Sequence, residues 1–259
     1  MERSRKRLSM RAARVIYQVL TPRIAGLAPV EVDEVMARHP VPTGQLGVEL
    51  LAGDDAQRAV RDSLPPANDF SPPLDFDGYV RLRQAKWLYR VEASEVEPED
   101  LGYLRAALLV AGELAAMTDG VIVDALAYMV FAPADVAREV DRPFDPLRHV
   151  NVHVDRGPRP FFVHTHGMEK FGHPDFELQA VPRESLDVAR RLLRHLIAAV
   201  VSGGRFSEGE STQLCGLCFS FAPSKAEDPA HFSGRSLCLN EFKLVGSHAT
   251  PEMAGMLVG

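Results

Sequence analysis

The sequence predicts an α+β protein, with a mixed or mostly antiparallel sheet and helices packed on one face. Three observations lead there. Leu101 to Ala115 and Ala189 to Val200 repeat apolar residues at three and four positions, the spacing of a helix with one buried stripe. Several shorter runs alternate polar and apolar residues or stay apolar throughout, and two of them flank turn chemistry, as in a hairpin. At 259 residues, of which 46% are apolar, the chain can bury a large core.

The elements follow in order. Val15 to Leu20 is a β-rich run halted by Pro22, and Pro29 to Arg38 has a proline at a helix start, acids in its first turn and a base at its end. Leu46 to Leu51 reads as a strand and Asp54 to Arg61 as a short helix capped by Asp54 or Asp55. Pro65, Pro66, Pro72 and Pro73 forbid both helix interior and central strand. Gln84 to Val91 is a strand holding the single Trp87, which reads as core. The first long helix opens near Pro98-Glu99-Asp100 and ends at Thr118-Asp119-Gly120; a buried strand follows at Val121 to Val123, and Pro133 opens a short helix through Val140. Arg183-Glu184-Ser185 leads into the second long helix, which stops at Gly203-Gly204 with His195 on its flank; two strand-like runs, Leu214 to Phe221 and Leu237 to Val245, complete the chain.

Residues 1–14 form a basic, flexible N-terminus, 15–259 a single α+β domain, and the Pro-rich stretch 62–78 is the place where an internal boundary could fall. The N-terminal run sets six bases against one acid, so the rest of the chain is more acidic than the net charge of −6 suggests. An acidic body argues against a nucleic-acid face, and no run approaches the roughly 20 apolar residues of a membrane span. Three cysteines, an odd number without a secretory signal, give no disulfide framework and point to a reducing cytoplasm.

Chemistry concentrates in Phe161 to Leu178, a strand, a glycine-bracketed turn and a Pro-led exit. His149 to Val154 alternates and forms the other arm of a hairpin with Phe161 to His166. Pairing Val154 with Phe161 sets Asn151 against His164 and His149 against His166, so that His149, His153, His164 and His166 share one face; a one-residue slip would abolish this. His164 and His166 point the same way on a strand, and His173, Glu169, Asp175 or Glu177 could add a third ligand for zinc or a similar ion that activates water. The competing reading, histidines lining a sheet face or capping the turn, is favoured, because no tight spacing such as H-E-x-x-H is present. Cys215 and Cys218, with His231 and Cys238, have the ligand count of a structural zinc site, yet residues three apart on a strand face opposite ways, which favours buried free thiols. No nucleophile elbow, phosphate loop or dinucleotide fingerprint occurs, so no catalytic residue and no cofactor is assigned.

His164-Thr165-His166-Gly167-Met168-Glu169-Lys170-Phe171-Gly172-His173-Pro174-Asp175-Phe176-Glu177-Leu178 resembles the motif of the bacterial family called domain of unknown function 4261. The order of elements over most of residues 40–221 is similar as well, while the first 40 residues and the cysteine-bearing tail match less well. The matched positions are Thr165, Gly167, Phe171, Gly172, Pro174 and Glu177, mostly backbone and packing types; the histidines stand where the pattern tolerates other residues. The resemblance implies a shared fold and brings no reaction. On this reading the two glycines supply special backbone angles, Phe171 anchors the turn, and Glu177 satisfies its backbone amides.

The expected function is therefore a non-enzymatic protein-interaction module with an unknown protein partner, for instance regulatory or toxin-neutralising. The alternative is a metal-dependent hydrolase built on the histidine cluster of the 149–177 hairpin and turn.

Overall fold

The computed structural model describes residues 12–22, 26–41, 43–72, 74–96, 98–155, 161–204, 206, 211–214, 217–223 and 242–246. The α+β class is observed, with two sheets that are antiparallel except at one junction. By its contacts the chain divides into two compact units, Ala12–Asp145 and a unit beginning at Pro146.

In the first unit, strand β1 (Ala13–Thr21) runs nearly continuously apolar and is buried along almost its whole length, which is the pattern of a central strand covered on both faces. After α1 (Pro29–Arg38) and β2 (Gln45–Ala52) come α2 (Gly53–Ser63), α3 (Phe76–Arg83), β3 (Trp87–Glu95), α4 (Gly102–Thr118), β4 (Val121–Asp124), β5 (Met129–Phe131) and α5 (Pro133–Val140). The strands lie in the order β2-β3-β1-β4-β5, all antiparallel, and β1 pairs β3 from Ala13↔Glu95 to Thr21↔Trp87 without a break. Ala13 and Arg14 thus belong to the sheet rather than to the basic N-terminus, whose residues 1–11 lie outside the described residues.

Helix α4 packs on β1 and β3. Its end is tied to the sheet by hydroxyls, Thr118 donating to the Leu114 carbonyl and Thr21 donating to the Thr118 carbonyl, each at 2.7 Å. Gly112 brings α5 close, since a Cβ there would stand 2.7 Å from Val136 Cγ1. Helices α1 and α5 both open on a proline, and in each an acid of the first turn accepts from the backbone just ahead: Glu31 from Ala28 N–H at 2.7 Å, Asp135 from Ala132 N–H at 2.8 Å. Helix α2 starts one residue earlier than expected and has no Asp54 or Asp55 side-chain cap.

The helical cover is heavier on the α4 face. On the other face one end is covered: Leu20, Leu88 and Val123 pack with Ala56, Val60, Leu64, Phe70 and Leu82. The Pro-rich stretch 62–78 is part of this cover and not a boundary. Pro65, Pro66 and Pro72 stand outside helix and strand, but Phe70 is buried and Ser71 N–H donates to the Tyr128 carbonyl at 2.9 Å, so the segment is docked, and the division falls after Asp145 instead. Trp87 is half-buried, not core; its ring lies against Gly26, where a Cβ would approach to 2.7 Å.

The second unit contains β6 (Asn151–Asp155), β7 (Phe161–His166), β8 (Phe176–Val181), α6 (Leu186–Val201), β9 (Ser211–Leu214), β10 (Leu217–Pro223) and β11 (Phe242–Gly246). The sheet order is β6-β7-β8-β11-β10-β9; the β8–β11 pair is parallel and the others antiparallel. Helix α6 lays the expected stripe, Ala189, Leu192, Leu193, Leu196, Ile197 and Val200, against β6, β7 and β8, and Gly203 at φ 92 closes it. Among the described residues no helix is long and apolar enough to cross a membrane.

Candidate functional site

Strands β6 and β7 pair as a hairpin, shifted by two residues from the expected register. Asn151 lies opposite His166, His153 opposite His164, and Asp155 opposite Phe162. A two-residue step preserves the pleat, so the imidazoles still share a face. Rings of His164 and His166 are 4.5 Å apart, those of His153 and His164 stack at 5.3 Å, and those of His153 and His166 lie at 6.1 Å. On the far side of His164 the facing residue of β8 is Glu177, and both are buried. His149 sits before β6 rather than opposite His166. It is buried, and its imidazole is pushed down to about 3, first by burial and then by the charges of Lys170 and Arg148.

The turn after β7 is a joint built from backbone angles. Gly167 at φ 107 and Gly172 at φ 66 bracket one 3-10 turn, Met168–Phe171, whose Met168, Lys170 and Phe171 are buried. The amide-satisfying role expected of Glu177 belongs to Asp175. Asp175 accepts from the Thr165 hydroxyl at 2.8 Å and from Met168 N–H at 3.1 Å, while the Thr165 oxygen accepts from Phe176 N–H at 2.8 Å. Glu177 lies on β8 and accepts from Gln179 Nε2 at 2.7 Å. Enclosure of its carboxyl raises Asp175 to about 7, partly opposed by these hydrogen bonds. An aspartate directly after a proline and ten residues from a threonine was the only sequence signal of this link.

The candidate ligands His164, His166, His173 and Glu177 are not all brought together. His173 turns away: its Nδ1 is 2.7 Å from the Pro174 carbonyl, and its ring packs at 4.8 Å from Phe176 and 6.1 Å from Phe206. Among the described residues no three of His, Cys, Asp and Glu are placed to hold one metal ion. In the cysteine set, Cys215, His231 and Cys238 lie outside the described residues, and Cys218 falls in β10.

A different kind of site lies in the first unit, on the face of its sheet away from α4. A shallow groove of about 360 Å³ is lined by Gln45, Gly47 and Glu49 of β2 and by Arg90, Glu92 and Ser94 of β3. Its charges are paired within the sheet, Arg90 with Glu49 at 2.9 Å and Arg14 with Glu92 at 2.6 Å. Among the described residues β2 is also a sheet edge, and its eight residues pair with β3 in unbroken register. Leu46 and Val48 also line the groove; alternation along the strand turns their half-buried side chains to the other face of the sheet from Gln45, Gly47 and Glu49, the face that Leu50, 36% exposed, shares. Sequence reasoning found this strand but not its position at the edge, since strand order depends on pairings far apart in the chain.

No protein-family model, curated protein or solved structure matches the chain.

Proposed function

We propose that the chain is a non-enzymatic protein-interaction module. One observation carries this reading: β2, an eight-residue strand at the edge of its sheet, bordering an open groove. Edge strands in folded proteins are commonly blunted by brevity, bulges, lysine or proline, because an open row of backbone donors and acceptors recruits another strand. The far edge, β5, follows that rule with three residues. Strand β2 is long, unbulged and free of lysine and proline, which suits β-strand addition by a partner. A regulatory or toxin-neutralising role in the cytoplasm belongs to the same proposal, supported by the acidic balance and the odd cysteine count. Kinship with domain of unknown function 4261 belongs to it too, since Thr165, Gly167, Phe171 and Gly172 do backbone and packing work here, as suits a motif of those residue types.

Incorporation of a photo-crosslinking residue at Gly47, in cells, tests the reading. A discrete protein adduct from position 47, absent from the same residue placed at buried Ala56, is expected; no adduct from 47 would remove it.

The second reading, a metal-dependent hydrolase, draws on the neighbouring rings of His153, His164 and His166, which would have to re-orient to hold one ion. Zinc titrated into the purified chain would bind stoichiometrically and be lost in His164→Ala under this reading. Zinc binding unaffected by that substitution would dismiss it.

A further inference from the structure

The partner itself follows from the residues of β2. We infer that β2 pairs antiparallel with β2 of a second copy of the chain, about a two-fold axis through Val48. The inference rests on reading the chain as an interaction module and names what it binds.

Antiparallel pairing about a two-fold axis keeps each face of the sheet on the same side, so facing residues have the same parity and their numbers sum to an even value. For the span Gln45–Ala52 the two registers nearest the strand's middle centre on Val48 and on Glu49. Centring on Glu49 sets two glutamates face to face, which is unfavourable. Centring on Val48 removes that clash. Val48 then meets Val48 of the partner, Leu46 meets Leu50, and Glu49 meets Gly47.

Each of these pairings fits what the strand offers. A Cβ at Gly47 would meet nothing within 4 Å, so the incoming Glu49 has room beside the groove. Glu49, beside Arg90 of its own chain at 2.9 Å, is 54% exposed, so it keeps its charge and much of its water as the partner approaches. On the other face the half-covered Leu46 and Val48 and the exposed Leu50 come under cover of the same three residues of the second copy. Ten strands would then form one continuous sheet, five from each chain.

Sedimentation of the full chain over a wide range of concentration tests this. The expected result is a reversible shift to twice the mass of one chain. Val48→Cys should form an interchain disulfide on mild oxidation, mapped by peptide mass spectrometry to 48–48, while Glu49→Cys should not link 49–49. Because position 47 faces Glu49 of the partner, Gly47→Lys should tighten the dimer and Gly47→Glu loosen it, each on the order of tenfold. Thermal unfolding of both variants confirms that each is folded. A single-chain mass throughout, cross-linking through 49 instead of 48, or equal effects of the two Gly47 substitutions would overturn the inference. A single-chain mass together with a different protein captured from position 47 would overturn self-pairing while leaving the interaction-module reading intact.

Discussion

The Thr165 hydroxyl donates to Asp175 at 2.8 Å and its oxygen accepts from Phe176 N–H at 2.8 Å, so two side chains close the turn between β7 and β8 from inside. Each hydrogen bond is worth about 1 kcal/mol net, and an unsatisfied enclosed donor costs about 1–3 kcal/mol. Asp175→Ala removes the acceptor of both Met168 N–H and the Thr165 hydroxyl, and should cost about 2–4 kcal/mol in urea unfolding. Asp175→Asn keeps an oxygen in that place and should cost under about 1 kcal/mol near pH 6. Glu177→Ala should cost less than Asp175→Ala, because its hydrogen bond is to the half-buried Gln179 and not to the turn. The reverse order would return the role to Glu177.

Asp175 and His149 pull stability in opposite directions with pH. Asp175 moves from an ordinary 3.8 up to about 7, so across that window the unfolded chain has lost a proton that the native chain keeps, and stability falls as pH rises. His149 moves from 6.5 down to about 3, so as pH falls through that window the unfolded chain gains a proton that the native chain refuses, and stability falls toward acid. Between about pH 4 and pH 6.5 the two slopes, each at most about 1.4 kcal/mol per pH unit, offset one another. Asp175→Asn should therefore expose a stability that rises with pH in this range, and His149→Gln one that declines. Denaturation midpoints measured at half-unit steps check both signs. Identical profiles in the two variants would contradict the assignment.

Gly112 of α4 and Val136 of α5 form a contact that a helix-propensity argument alone would misjudge. Replacing a helical glycine by alanine in open space stabilises by about 1 kcal/mol. Here the new methyl would lie 2.7 Å from Val136 Cγ1, 3.1 Å from its Cβ and 3.4 Å from its Cγ2, and Val136 is buried and β-branched, so turning one of its methyls away leaves its Cβ and the other methyl in close contact. Gly112→Ala should lower stability by about 1–2 kcal/mol. Adding Val136→Ala should recover part of that loss, so the pair would be non-additive in a double-mutant cycle. Strict additivity would mean that the helices do not meet there.

Local rules made much of this fold legible. Helices α1, α4 and α6 announce themselves by spacing, prolines and glycine stops, and the β6–β7 hairpin by alternation. Its register slipped because alternation is satisfied equally by any two-residue step, and only contacts beyond the hairpin choose between them. Helix α3 was missed because Phe76–Arg83 is short, contains Gly78 and leaves Phe76 79% exposed, so it shows no apolar stripe. Lys170 was invisible for the opposite reason: nothing in composition marks a lysine that tertiary packing will bury. The candidate docking edge was hidden too, since β2 becomes an edge only through the order in which distant strands join.

Gly172 should discriminate sharply among substitutions. It closes the 3-10 turn at φ 66, ψ 24, and its N–H donates to the Glu169 carbonyl at 3.0 Å, so the turn depends on a left-handed backbone. Glycine enters that region freely; alanine enters it at about 1–2 kcal/mol, and asparagine at less because its side chain bonds its own backbone. A β-branched side chain fares worst, since its second branch crowds the carbonyl. Stability should therefore fall in the order glycine, Gly172→Asn, Gly172→Ala, Gly172→Val. If side-chain size alone governed the site, Gly172→Ala would be milder than Gly172→Asn. Chemical denaturation of the three variants at one pH separates backbone angle from bulk, and Gly172→Ala proving the better tolerated of those two would contradict the left-handed geometry on which the joint depends.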